Sequence, residues 1–398
     1  MKFHISKEYI KNTFIIAISF VLLKSFNLLL PYFLDKVSYN EFNKVFYYAS
    51  LISTIGTFGF TYAITQINIS PVILSLLVFV NIIISFFLVY VLGGVEVSIG
   101  NAFIIFLISF SAILFSVYNF RLLFFSKTNK YFISIVIISL SYFIALAVSF
   151  FVGIKLLFMY GILGLFGLII SFRLFDLGNI KDFRKLKKFY KLGFSTFIIN
   201  SAAGMILMAD KFFANNFFSV DVANSYTFAW ALVAPIFYLG NIAEKNIYAA
   251  ENKKSIKNAL FNSFVLIALG LIIYSFLIFF ITNNFSNILP NTIDVSLFKN
   301  IFMYMIIGYS LFIFFHFPIN GILFKMNFHD SQKFTSYAYI FIIGIFTCLY
   351  LFNFVRIAND DYLFLISLVV LILVTLSVSK FLLIVFLHKK AIIGFVKR

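Results

Sequence analysis

Residues 10–34 read IKNTFIIAISFVLLKSFNLLLPYFL, an apolar run with Lys11 at its entry and one further cation, Lys24, close to its middle. A helix of this length, rising 1.5 Å per residue, is long enough to cross a hydrocarbon core of about 30 Å. Lys24 would lie roughly 21 Å from one end of the run and 15 Å from the other, too deep for its ammonium to snorkel fully to water. A lone ammonium at that depth costs about 3 kcal/mol on insertion scales, so it marks a polar interior or an anion inside the bilayer.

The rest of the chain repeats the pattern. Of 398 residues, 63% are hydrophobic and 11% charged, with 60 Phe and 22 Tyr; soluble domains carry about 25% charged residues. The length accommodates about twelve spans, and the apolar runs place them at 10–34, 42–66, 72–92, 99–124, 131–152, 156–175, 189–213, 222–243, 258–282, 297–325, 333–355 and 362–388. The runs are continuous rather than alternating, which excludes an outer-membrane barrel and predicts an all-α, polytopic integral membrane protein. The first run is too long for a signal peptide and lacks a small-x-small cleavage site, so it is expected to stay in the mature protein. The one cysteine, Cys348, sits in an apolar run and is read as packing.

The net charge of +17 is a topology signal. Lys and Arg counted on alternate sides of the spans give 24 on the side of the N-terminus, 6 on the other, and Lys24 as the one cation belonging to neither surface. The positive-inside rule then puts both termini in the cytoplasm. No basic domain stands outside the membrane, so nucleic acid is not an expected partner. The most polar internal segment, 176–191, carries Lys181, Arg184, Lys185, Lys187, Lys188 and Lys191. It is read as a cytoplasmic linker, touching lipid headgroups, between six-helix halves at 1–175 and 192–398. The segments Asn119–Lys127 and Phe317–Lys325, at the exits of the fourth and tenth helices, are weakly similar and suggest a parallel repeat.

Polar residues inside the spans are the candidate functional groups. Asn27 and Pro31, at i+3 and i+7 from Lys24, share its helix face, and Pro31 is either a hinge or an ordinary terminator. Asp210 and Lys211 form either a salt bridge or an ion-coupling and gating pair. Lys24 itself either meets substrate or pairs with a group such as Asp210. Arg121 lies near the cytoplasmic interface, where it can snorkel or line an entry. His316 and Asn320, at i and i+4 about Pro318, can hydrogen-bond sugar, relay a proton or pack. Asn81, Asn200 and Gln66 read as interhelical hydrogen-bonding groups. No phosphate-binding loop, metal constellation or nucleotide-binding domain is present in the sequence, so neither an enzyme nor a bound metal or cofactor is expected.

Three stretches carry a family resemblance. Leu30, Pro31 and Tyr32 followed by Ser38, Tyr39, Asn40, Glu41 and Phe42 are similar to a proline-ended first helix and a Ser-x-x-Glu-aromatic turn. Phe189 to Gly193 leading to Met208, Ala209, Asp210, Lys211 and Phe212 resemble a glycine entry and an aspartate–arginine pair in helix seven. Asp221 to Tyr226 resemble an aspartate-to-tyrosine turn into helix eight. These are features of the O-antigen and lipid-linked oligosaccharide flippases of the MATE-like superfamily. Phe194 and Ser195 replace the family's proline, and Lys211 replaces its arginine, a point charge in place of a bidentate fork.

The resemblance implies a MATE-like fold of two six-helix halves in the bacterial inner membrane. It also implies transfer of undecaprenyl-pyrophosphate-linked oligosaccharide from the cytoplasmic to the periplasmic leaflet by alternating access. A proton or a sodium ion would be the coupling ion, and a polysaccharide polymerase and chain-length regulator would be partners. Lys24, Asn27, His316 and Asn320 would hold pyrophosphate or sugar, Asp210, Lys211 and Pro31 would couple or gate, and Arg121 would line the entry. Two other readings stand beside it. An ion-coupled MATE-type drug exporter for cations would favour buried carboxylates over a lysine. A membrane O-antigen polymerase would favour a large basic external loop, whereas the external loop 283–296 has one acid and no base.

Overall fold

The computed structural model describes residues 7–67, 69–93, 98–124, 127–153, 155–172, 185–194, 197, 211, 214–215, 218–249, 253–284, 289–325, 337, 340–341, 344, 370–375, 377–382 and 386. All regular structure among them is helical: α1 Lys7–Phe33, α2 Lys36–Gly56, α3 Phe60–Gln66, α4 Pro71–Gly93, α5 Ile99–Phe124, α6 Thr128–Val152, α7 Leu156–Phe172, α8 Val220–Ala249, α9 Lys253–Asn284 and α10 Val295–Lys325. Residues 185–194 and the segment Val370–Leu382 are also helical. In hydrocarbon every backbone donor must be satisfied within its own segment, and long helices do this. Six of the described helices are long and apolar enough to cross a membrane.

Two spans differ from the sequence reading. The second helix begins at Lys36, so Ser38 to Phe42 are helical rather than a turn, and the stretch 42–66 is not one helix. It breaks at Thr57, Phe58 and Gly59, with Phe58 at φ 45° and Gly59 at φ 69°. Residues 185–191, expected in the linker, are helical and continue to 194. Pro31 does not terminate its helix, which runs on to Phe33.

The chain forms two compact units. The N-terminal unit comprises Phe14–Phe33 and Val37–Met208; the C-terminal unit comprises Met1–Thr13, Leu34–Lys36 and Ala209–Arg398.

In the N-terminal unit α2 and α5 run parallel. Glu41 meets Asn101, Ser109 donates to the Ala49 carbonyl, and Gly56 lies against Ile113. Its core is aromatic, with Phe26 packed on Phe42, Tyr142, Phe143 and Tyr160, and Tyr142 stacked on Tyr160 at 4.1 Å. Asn81 on α4 serves between helices as its isolation in an apolar run predicts. It donates to the Gly56 carbonyl and accepts from the Tyr190 hydroxyl at 3.2 Å.

In the C-terminal unit α8 and α10 form the interior, 59% and 61% of their apolar stretches being buried, against 17% for α9. The seven large apolar side chains that α9 exposes from Leu269 to Phe280 therefore belong to the lipid face. Contacts of Phe228 with Phe298, Phe237 with Tyr309, and Gly240 with Phe317 make α8 and α10 parallel. Ser263 donating to the Ala243 carbonyl, and Tyr274 to that of Leu232, make α9 antiparallel to α8. Segment Val370–Leu382 runs parallel to α10: Gly308 lies against Val370, and Asn320 accepts from Lys380. The twelve-span reading requires this direction of its tenth and last helices.

Candidate functional site

The polar interior of the C-terminal unit is built on three helices. His316 is 4% exposed and projects from α10 one turn before Asn320. The i, i+4 spacing stacks the two side chains on one face, where Asn320 Nδ2 lies 2.9 Å from His316 Nε2. Lys380, 6% exposed, comes from the last described helix and donates to Asn320 Oδ1. Glu244, on α8 and half-buried, acts electrostatically on Lys380, which in turn acts on His316. The Phe312 ring stacks on the imidazole, with centroids 4.5 Å apart and planes at 19°. Pro318 lies inside α10 between His316 and Asn320.

His316 and Asn320 were expected from the sequence; Lys380 and Glu244 were not. Lys380 heads the cationic C-terminal tail, and the count of sides places it with the surface cations, yet it is buried. The sequence signal was its position ahead of seven apolar residues, Phe381 to Leu387, which keep it inside the last span.

Two cations that the count of sides places with the surfaces, Lys380 and Lys211, are buried. Lys211, 8% exposed, holds its ammonium 3.2 Å from the centroid of the Trp230 ring, and Asn215 donates to the Lys211 carbonyl. An indole face attracts a cation through its quadrupole. The expected partner Asp210 lies outside the described residues, as does the side chain of Lys24. Asn27 is half-buried on α1, and Pro31 is buried inside the same helix. Arg121 is half-buried in the last turn of α5 and bears electrostatically on Tyr118.

A second polar assembly lies at the other end of α8 and α10. Lys36 pairs with Asp221 in the first turn of α8, and Asn224 Nδ2 donates at 3.0 Å to the Lys36 carbonyl. Asp294 caps α10, its Oδ1 accepting from the backbone N–H groups of Ser296 and Leu297 at 2.9 and 3.0 Å and from the Ser296 hydroxyl at 2.8 Å. Those bonds, led by that from Leu297 and helped by the Lys36 charge, hold the Asp294 carboxyl below its ordinary range. The Asp221-to-Tyr226 stretch singled out in the sequence therefore has a definite local task.

A groove of about 470 Å³ on the N-terminal unit is lined by Ile83, Phe86, Phe87, Tyr90, Ala102 and Phe106 and is almost wholly apolar. Among the described residues no group of three or more His, Cys, Asp or Glu could hold a metal ion.

Among solved structures, the chain is similar over nearly its whole length to the inward-facing conformation of a multidrug resistance MATE family transporter of the MOP superfamily. The identity is 13%, the TM-score 0.62, and 95% of each chain is covered. It is similar to the eukaryotic MATE transporter AtDTX14, at 15% identity and a TM-score of 0.60, covering 95% of this chain and 96% of that one. A MOP superfamily transporter from Pyrococcus furiosus, described as having a reverse polarity of binding pocket that suggests a different function, matches at 11% identity and a TM-score of 0.59. In that case 98% of this chain and 97% of the other are covered. No protein-family model and no curated protein matches the chain. At such identities the likeness is one of fold, and that fold is the all-helical, polytopic MATE type.

Proposed function

We propose that this chain is a membrane transporter that flips an anionic lipid-linked oligosaccharide, of the undecaprenyl-pyrophosphate class, from the cytoplasmic to the periplasmic leaflet of a bacterial inner membrane. The observation that carries the reading is the sign of the buried charge. Lys380 and Lys211 are buried, whereas no Asp or Glu among the described residues is. A fold hosts many functions, and the chemistry of its interior separates them. Pyrophosphate cannot enter hydrocarbon unaided, and a buried ammonium lowers that barrier while the polyprenyl tail stays in lipid. In this reading Lys24 meets the pyrophosphate, and Asn27, His316 and Asn320 offer hydrogen bonds to sugar. Arg121 lines the cytoplasmic entry, while Asp210, Lys211 and Pro31 gate or couple.

The second reading, export of drugs by an ion-coupled MATE-type carrier, is favoured by the likeness in fold to a multidrug resistance MATE family transporter. The two separate on lipid extracts. Deleting the gene should accumulate a complete, unpolymerised lipid-linked repeat unit facing the cytoplasm. Accumulation on the periplasmic side would point to a polymerase. Unchanged lipid-linked pools together with new drug sensitivity would replace the flippase by the exporter.

A further inference from the structure

The amide of Asn320 fixes where protons can sit in the lysine network. An ammonium has only donors, so the atom facing Lys380 must be Oδ1, and Nδ2 is left to donate to His316 Nε2 at 2.9 Å. Nε2 is therefore the unprotonated ring nitrogen, and the neutral imidazole carries its proton on Nδ1. Protonating Nε2 would set two donors against each other. The amide would have to turn its oxygen towards the ring, and its NH₂ would then face the Lys380 ammonium. The two neighbours lie on opposite arms of one amide, so its single oxygen serves one of them at a time.

We propose that His316, Asn320 and Lys380 form a proton-binding site, in which His316 Nε2 takes up a proton only when the Lys380 ammonium has left the amide oxygen of Asn320. The surroundings fit both arrangements. Glu244 on α8 gives the departing ammonium a carboxylate partner. Phe312 offers its π face to the imidazolium that forms. From α9, which packs on α8, no acidic or basic side chain follows Lys257.

The step balances simply. A proton from water joins the Nε2 lone pair, the amide turns over, and Lys380 keeps its own protons while changing partner. An anion that draws Lys380 away thereby loads a proton onto His316. The site would make the proton the coupling ion, which rests on the transport reading above; the titration itself does not.

The test is ring-nitrogen NMR of the full chain in lipid nanodiscs, with ¹⁵N-labelled histidine and the His316 signals assigned by their loss in His316→Gln. Wild type should show the Nδ1–H tautomer at pH 8. In Lys380→Met the amide is freed, and in Asn320→Asp a carboxylate can accept from both neighbours. In each variant the unprotonated-nitrogen signal should disappear at a pH higher by about one unit or more than in wild type. Two variants are used so that a folding failure in one, seen as an aggregated elution profile, leaves the other to decide. An Nε2–H tautomer in wild type at pH 8, or a variant that folds and titrates as wild type does, overturns the proposal. Normal lipid-linked pools after gene deletion would sink the flippase reading and leave this titration untouched, so the two fail separately.

Discussion

Asp294 contributes through its cap. One carboxylate oxygen satisfies two backbone N–H donors that the first turn of α10 leaves open, and accepts the Ser296 hydroxyl as well. Asp294→Ala should lower stability by about 1 kcal/mol, and Asp294→Asn by less, measured by thermal unfolding in detergent. Because the folded-state pKa is depressed, this contribution is fully present above the ordinary 3.8 and is lost as pH falls through the folded value. The difference between wild type and Asp294→Ala should therefore shrink in strong acid. Lys380 gives a sharper case. Glu244→Gln removes the carboxylate that offsets a buried ammonium, and should cost up to about 3 kcal/mol, moderated by the partial exposure of Glu244. The double variant Glu244→Gln with Lys380→Met should be more stable than Glu244→Gln alone, since it leaves no stranded charge. At this scale the sequence was half legible. The spacing of His316 and Asn320 predicted a shared face, but their partners come from helices distant in the chain, which spacing within one helix does not reveal.

The break between α2 and α3 joins a local signal to contacts made from elsewhere in the chain. Residues 42–66 contain no proline and read as one apolar run, so a single helix was the natural expectation. Gly59 marks the break locally, in the left-handed region that favours glycine, and contacts from elsewhere in the chain surround it. Phe58 takes a left-handed conformation and stacks on Phe197 at 4.8 Å, and a Cβ on Gly193 would stand 2.8 Å from the Phe58 carbonyl oxygen. Gly193→Ala should therefore push on backbone that has little room to yield, costing about 1–3 kcal/mol in thermal unfolding. Gly100→Ala, where a Cβ would meet nothing within 4 Å, should cost far less and serves as the control. The glycine opening the helix-seven stretch was visible in the sequence; its close approach to α2 and α3 was not. The helices themselves were legible because the length of an apolar run and the thickness of a bilayer are matched by backbone hydrogen bonding alone.

At the scale of the whole molecule, the fold and its orientation rest on different physics. The MATE-type fold is seen in the packing of the helices, while the assignment of sides rests on the 24 to 6 distribution of Lys and Arg. The burial of Lys380 takes one cation from the larger count and that of Lys211 one from the smaller, so the bias survives. A reporter fused to the C-terminus should therefore be active in its cytoplasmic form and silent in its periplasmic form; the opposite pattern would invert the assigned direction of transport. Lys24→Ala should abolish surface polysaccharide while membrane insertion stays normal, and Lys24→Arg should retain part of it. Normal glycan display in the Ala variant would remove Lys24 from the proposed route. The contact between Lys211 and Trp230 has a further consequence. The chain has one tryptophan, so its indole fluorescence comes from a single ring with an ammonium 3.2 Å from its centre. The charge should shift the emission, Lys211→Met should remove that shift, and withdrawal of Lys211 during a working cycle would change the colour of the light without any attached dye.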